Sequence, residues 1–315
     1  MIGSAPRQPE DLAGRRVLIM GGSSGIGLNI AHQLTGSGAR VVLLARGSEG
    51  LEEAARQLAS CVGTIAADVS SSIETHAALE QAHGLLGGLD AVVANAGAAS
   101  YGPFGELDPE DYEKTIATTL LGVLNTAHAA LPYLERSRGT LVVVGSVAGR
   151  LPTPWLSAYA AAKHGVRGFV RSLRAELCAL GVPVSLALVA PGPVDTPFWR
   201  RARTPDRRLP PELRGAYRPE DVAAEVLRAI TSPRRTERTV GALMVPTIFL
   251  DAVFPNLTVL PAGIIARAGW RRRERRPSSH DDALAQPTRS ADQEGGLQSR
   301  PSALTKLRDL LSGRR

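Results

Sequence analysis

The chain has 315 residues, 43% of them hydrophobic and 21% charged, with a formal net charge of +7. This is enough apolar material for a sizeable core, in one large domain or two small ones. The charge is uneven: residues 263–315 hold 12 Lys+Arg against 6 Asp+Glu, so residues 1–262 are nearly neutral, which argues against a nucleic-acid-binding core.

The two cysteines, Cys61 and Cys178, give neither a disulfide framework nor metal-ligand spacing. Both stand in apolar contexts and are expected to be buried thiols of a reducing compartment. No apolar run of leader length precedes Gly21, so a cytoplasmic location is expected.

In chain order, Arg16 to Met20 is a short apolar run with branched residues and reads as a buried strand. It leads into Gly21-Gly22-Ser23-Ser24-Gly25-Ile26-Gly27, and then into Leu28 to Leu34 with helical apolar spacing. Strand, glycine turn, helix is the arrangement that holds a dinucleotide pyrophosphate. The glycines allow a tight turn and close approach, and free amides at the helix start hold the anion. Arg40 to Ala45 is the second strand and ends on Arg46. An acid there would bind the ribose 2′-hydroxyl of NAD, whereas an arginine fork suits a 2′-phosphate. NADP is therefore the preferred cofactor and NAD the alternative.

The alternation continues with a helix from Leu51 to Ala59, a strand from Cys61 to Ala67 and a helix from Ile73 to Leu86. A strand from Ala91 to Ala94 follows, ending in Asn95-Ala96-Gly97. Asp68 follows the third strand, where it can accept from an adenine amino group. Glu110 to Glu135 reads as a long helix broken at Leu131-Pro132, and Gly139 to Gly145 as the fifth strand with Ser146 at its end. Trp155 to Leu180 is a helix, Val182 to Val189 the sixth strand, Pro219 to Ile230 a helix and Val240 to Val245 a seventh strand. The class is α/β: a doubly wound parallel sheet of about seven strands. The expected units are a dinucleotide-binding domain over 12–250, an apolar then basic extension over 251–276 and a tail over 277–315.

Tyr159 and Lys163 stand four residues apart on the predicted helix and so lie one above the other. A free phenol titrates near ~10 and must fall by ~2–3 units to exchange protons at neutral pH. An ammonium ~4 Å away supplies roughly that much. Tyr159 is thus a candidate acid/base, and Ser146 a hydrogen-bond donor to a carbonyl oxygen beside it. A lone Tyr-x-x-x-Lys carries little weight, and gains it only from the cofactor motif that precedes it.

The motifs Gly21-x-x-x-Gly25-Ile26-Gly27, Asp68-Val69, Asn95-Ala96-Gly97, Ser146, Tyr159-x-x-x-Lys163 and Pro191-Gly192 occur in this order. Together they resemble the short-chain dehydrogenase/reductase family, its branch of about 250 residues, over roughly residues 12–250. The resemblance implies a Rossmann fold and an NAD(P)-dependent oxidoreductase acting on a carbonyl/alcohol pair. Tyr159 is then the general acid in reduction and the base in oxidation. Lys163 lowers its pKa and holds the nicotinamide ribose, and Ser146 binds the substrate oxygen. The loop residues Gly21, Ser23, Ser24, Gly25, Ile26 and Gly27 line the cofactor, with Arg46 at its 2′-position. Asp68 and Val69 meet adenine, Asn95 the adenosine-side ribose region, and Ala96 and Gly97 also line the cofactor. Pro191, Gly192 and Val194 also line the cofactor, and Thr196 bonds the carboxamide. A homodimer or homotetramer is implied as well.

Two positions depart from the family pattern. Met20 stands where the glycine loop usually begins with Thr, which removes a local hydrogen bond. Thr119 stands at the usual Asn of the catalytic set, where a water passes protons to the lysine. A threonine hydroxyl holds a water in different geometry, which bears on the efficiency of that relay.

Tyr101, Leu151, Pro152, Trp155, Phe198 and Trp199 are the expected substrate-side residues and read either as an apolar pocket, suited to a hydrophobic ketone, aldehyde or secondary alcohol, or as packing for the lid or a subunit interface. The arginines of 200–218 read either as a solvated loop or as a lid that attracts an anionic substrate such as an acyl thioester. Residues 252–266 are uncharged and mostly apolar, and Trp270 and the cluster Arg271 to Arg276 follow. That order is found at a membrane surface, so peripheral membrane contact through 252–276 competes with packing on the pocket or a partner subunit. Asp251, Pro246, Pro255 and Pro261 argue against a spanning helix. Residues 277–302 have the composition of a disordered segment, and Ala303 to Ser312 that of a short amphipathic helix. The rival functional reading is a non-catalytic NADP-binding regulator, for which Thr119 and the long tail speak.

Overall fold

The computed structural model describes residues 12–206, 210, 215–232, 236–241, 244–271 and 284. The expected short helix from Ala303 to Ser312 lies outside them, as does the 277–302 stretch apart from residue 284.

Seven strands form the sheet: β1 (Arg16–Met20), β2 (Arg40–Ala45), β3 (Cys61–Ala66), β4 (Ala91–Ala94), β5 (Thr140–Val144), β6 (Ser185–Pro191) and β7 (Glu237–Val240). Their order is β3-β2-β1-β4-β5-β6-β7 and every pairing is parallel. The chain reverses its winding between β1 and β4, which opens a crevice at the carboxyl ends of these strands.

Central strands of a parallel sheet are covered on both faces and need apolar residues throughout. The sequence Thr-Leu-Val-Val-Val of β5 is buried at every position. Successive side chains point to opposite faces. Leu18 and Met20 accordingly join one core with Val92 and Val143, while Val17 and Ile19 join another with Val93 and Val142.

The first core is sealed by α3 (Ser72–Leu86), α5 (Gly122–Ser137) and α6 (Ser157–Leu180), the second by α1 (Gly25–Gly36), α2 (Ser48–Arg56) and α8 (Pro219–Thr231). Local chemistry fixes their ends. The Ser71 hydroxyl accepts from Glu74 N–H at the start of α3. Gly87 and Gly181 stop α3 and α6 at φ of 72° and 67°.

Several boundaries differ from the sequence expectation. β7 is Glu237–Val240, not Val240 to Val245, and helix α9 (Met244–Val253) takes the apolar run instead. Charges masked this edge strand, but they are paired. Glu237 bonds Arg150 and Arg167, and the buried Arg238 donates to Glu225 and to the carbonyls of Arg228 and Ser232. The 110–135 helix is divided by a π-helical turn at Ala117–Leu121, between α4 (Pro109–Ile116) and α5, while Pro132 sits inside α5 without ending it. Cys178 is exposed and Cys61 half-buried, so the expectation of two buried thiols fails. Cys178 lies on the outer face of α6, where apolar neighbours in sequence are not neighbours in space.

Candidate active site

The crevice gathers one cavity from the ends of β1, β2, β4, β5 and β6. At its floor the turn from β1 into α1 passes through Gly21 at φ 76°. Gly27 lies beneath the loop rather than on it. A Cβ there would stand 2.0 Å from Gly21 O and 2.8 Å from Asn95 Nδ2. Gly27→Ala is therefore expected to destabilise the fold by at least about 1–3 kcal/mol. Urea unfolding reads the change, and an unaltered midpoint would refute the close approach.

The start of α1 is open to an anion. Its N-cap residue Ser24 makes no side-chain capping bond, so first-turn amides are not engaged by it. Ser23, Ser24, Gly25 and Ile26 line the cavity there. Asn95 is a brace: its Nδ2 donates to Gly21 O at 3.0 Å, tying the end of β4 to the glycine turn. Ala96 and Gly97 continue the wall.

Arg46 and Asp68 line the far end, at the tips of β2 and β3. Asp68 Oδ1 accepts from both N–H and Oγ of Ser70, which fixes the carboxylate, and Val69 lines the cavity beside it. Pro191, Gly192, Val194 and Thr196 form the opposite wall, with Thr196 4% exposed. Each cofactor and catalytic position singled out in the sequence thus borders this cavity except Gly27 and Thr119; of the substrate-side residues Phe198 and Trp199 border it, and Tyr101, Leu151, Pro152 and Trp155 do not.

Ser146 follows β5, and α6 brings Tyr159 and Lys163 opposite it. Tyr159 and Ser146 line the same cavity, and the Ser146 side chain is near enough to ease the phenol's pKa downward. Ser146 Oγ also accepts from Ala148 N–H at 3.1 Å, which orients it. Lys163 Nζ is buried, donates to Val144 O at 2.9 Å and stands 5.6 Å from the centre of the Tyr159 ring. Burial dominates the electrostatics. It pushes the Tyr159 phenol well above its ordinary value, against the Ser146 side chain, and pulls Lys163 down to about 8. The sequence expectation was a lowered phenol. The direction is opposite because loss of water around the phenol dominates, and only Ser146 works against it.

Thr119 is fully buried in the π-helical turn. Its Oγ1 donates to Ala98 O at 2.8 Å and accepts from Ala98 N–H at 3.0 Å. This two-bond clip holds the loop after β4, and the hydroxyl proton is spent on it. Thr118, not Thr119, borders the cavity.

On the substrate side an aromatic cluster surrounds Tyr159. Phe198 lies 5.5 Å from its ring and Trp199 5.1 Å from Phe198. Tyr101 and Trp155 join the cluster, together with Trp270 at the end of helix α10 (Asn256–Trp270). Trp155 has φ 68°, a conformation aromatic residues rarely adopt, so it precedes α6 instead of starting it. Leu151 is also buried.

Sequence reasoning missed Arg201. From α7 (Pro197–Arg201) its guanidinium donates to Ser24 Oγ at 3.1 Å, across the cavity mouth. Arg203 pairs with Asp111 at 3.3 Å. These two arginines are fastened to the fold, which a run of like residues gives no means to foresee; Arg207, Arg208 and Arg214 lie outside the described residues.

A family profile for short chain dehydrogenases matches residues 15–207. A hydroxysteroid 11-beta-dehydrogenase 1-like protein of Xenopus tropicalis is 37% identical over 195 residues, covering 60% of this chain and 67% of its own. The uncharacterized oxidoreductase YxnA of Bacillus subtilis strain 168 is 34% identical over 248 residues, covering 77% and 69%. Among solved structures, an alcohol dehydrogenase of the archaeon Thermococcus sibiricus, complexed with 5-hydroxy-NADP, superposes with a TM-score of 0.65 at 28% identity, covering 73% of this chain and 97% of its own. A short chain dehydrogenase/reductase of Burkholderia phymatum in complex with NAD shares the fold, with a TM-score of 0.70 at 23% identity, covering 78% and 95%. With the glycine turn, the parallel sheet and the serine, tyrosine and lysine at one crevice, the chain belongs to the short-chain dehydrogenase/reductase family of oxidoreductases.

Proposed function

We infer that the protein reduces a hydrophobic carbonyl compound with NADPH, or oxidises the corresponding secondary alcohol with NADP. The observation that carries this is the gathering of Ser146, Tyr159 and buried Lys163 in the same cavity as an uncapped helix start.

The residues fit a dinucleotide. The first turn of α1 offers amides to a pyrophosphate, and Arg46 on the cavity wall beyond β2 supports a 2′-phosphate there. When bound, the cofactor supplies or accepts the hydride. Ser146 holds the substrate oxygen and Tyr159 exchanges a proton with it. A phenol pushed up by burial stays protonated at neutral pH, which suits the acid's role in reduction. Lys163, charged below about pH 8, stabilises the tyrosinate left after transfer. Reductase activity is therefore expected to fall as pH rises through about 8. Thr119 holds the Ala98 peptide and acts on the site by positioning that loop.

The aromatic wall of Phe198, Trp199, Tyr101 and Trp155 supports a bulky apolar substrate. The hydroxysteroid dehydrogenase-like name of one relative is in line with that class.

NADPH oxidation followed at its absorbance band, with a panel of hydrophobic ketones, tests the reading. Tight NADPH binding with no turnover on any of them would favour the non-catalytic alternative. Arg46→Ala is expected to weaken NADPH binding about 10–100-fold and leave NADH unchanged, the loss of a charged hydrogen bond being about 1.5–3 kcal/mol. Equal effects on both cofactors would remove the 2′-phosphate assignment.

A further inference from the structure

Helices α9 and α10 form a hairpin that turns at Phe254-Pro255. Both carry large apolar side chains in solvent: Phe249 is 72% exposed, Leu260 70% and Ile265 73%. Phe254, Leu257 and Ile264 are exposed as well. Between Thr239 and Ala266 the only charged residue is Asp251. Its carboxylate accepts a hydrogen bond from the Thr258 hydroxyl, so even that charge is met within the hairpin. An apolar surface of this extent marks an interaction site.

The far end of α10 is fastened to the domain. Trp155 Nε1 donates to Ala266 O at 3.2 Å, and the Trp270 ring packs 4.9 Å from Trp155 and 6.0 Å from Tyr101. The hairpin therefore hangs from the aromatic wall that borders Tyr159.

We propose that this hairpin inserts into one leaflet of an anionic lipid membrane, with the Trp270 end at headgroup level. The helix lengths and the charge at the end of the apolar run define a lipid occupant met in one leaflet. No described helix is long and apolar enough to cross a membrane. The 15 residues of α10 reach about 22 Å against a hydrocarbon core of about 30 Å, so the hairpin lies in one leaflet instead of spanning. Basic groups begin where the apolar run ends. Arg267 and Arg271 are exposed at the end of α10, and the sequence continues through Arg272, Arg273, Arg275 and Arg276. That charge is complementary to anionic headgroups. A second copy of the chain would cover the apolar helices, but the exposed Arg267 and Arg271 at the end of α10 would repel their counterparts. The hydride-transfer reading does not depend on this contact.

Flotation of the full chain with vesicles of phosphatidylcholine, with and without phosphatidylglycerol, is the test. Binding is expected with phosphatidylglycerol, weakened by high salt. The triple variant Leu260→Asp, Ile264→Asp and Ile265→Asp is expected to bind at least about tenfold more weakly, with an unchanged thermal unfolding midpoint. All three side chains are exposed, so their replacement removes no core contact. Absence of binding to either vesicle would overturn the proposal, and so would binding that the triple variant leaves unchanged. Light scattering covers the other occupant: a dimer that the triple variant converts to monomer, with no vesicle binding by the wild type, would assign the face to a second copy.

Discussion

Tyr159→Phe is expected to lower kcat about a thousandfold while leaving NADPH affinity within a factor of two or three. Positioned acid–base groups contribute roughly 10²–10⁴ in rate, and this substitution removes the exchangeable proton while keeping the ring. The ring matters to the fold, because it packs on Phe198 within the aromatic cluster. Phe keeps that contact and leaves the Ser146 hydroxyl oriented by Ala148. Single-turnover kinetics together with NADPH titration separate the two effects. A Phe variant with full kcat would remove Tyr159 from the chemistry, whereas a joint loss of kcat and NADPH affinity would show a collapsed site.

Lys163→Met is expected to stabilise the protein at pH 7 by about 1–2 kcal/mol and to reduce turnover at least about a hundredfold. Burial holds Lys163 down at about 8, against its usual 10.5. The folded state thus binds fewer protons than the unfolded chain between these values. The penalty is fully present below pH 8 and fades as pH rises toward 10.5. At neutral pH it amounts to about 3 kcal/mol, from which the unpaired Val144 carbonyl takes back about 1–2. The gain should shrink when denaturant unfolding is repeated near pH 10. A variant less stable at pH 7 than the wild type would mean that the buried ammonium stabilises the fold. The expected pattern is one of stability given up for a charge at the reacting centre.

The sheet was legible in the sequence because strands buried on both faces have to be apolar throughout, as the runs of β1, β2, β4 and β5 are. β7 was misplaced because Glu237 and Arg238 are charged, and only their partners on other elements explain how a strand tolerates them. The glycine turn and the tyrosine–lysine pair were legible because their spacing is local. What lay beyond reach depends on elements distant in the chain. Arg201 meets Ser24 only once α7 folds over α1, and the hydroxyl of Thr119 is committed to Ala98 only once the π-helical turn rotates it there. The opposite movements of the two pKa values arise from burial, which spacing does not report. α9 and α10 were obscured by Pro246 and Pro261. Pro246 falls in the first turn of α9, where no backbone N–H is needed, and Pro261 is carried inside α10.

The central claim is that hydride passes at Tyr159 between a nicotinamide cofactor and a hydrophobic carbonyl carbon. Its most direct test uses NADPH deuterated at the transferred position, with mass analysis of the product. The account predicts one deuterium on the carbinol carbon with the wild type and almost none with Tyr159→Phe. Saturating NADPH binding without label in the product of any ketone tried would contradict it.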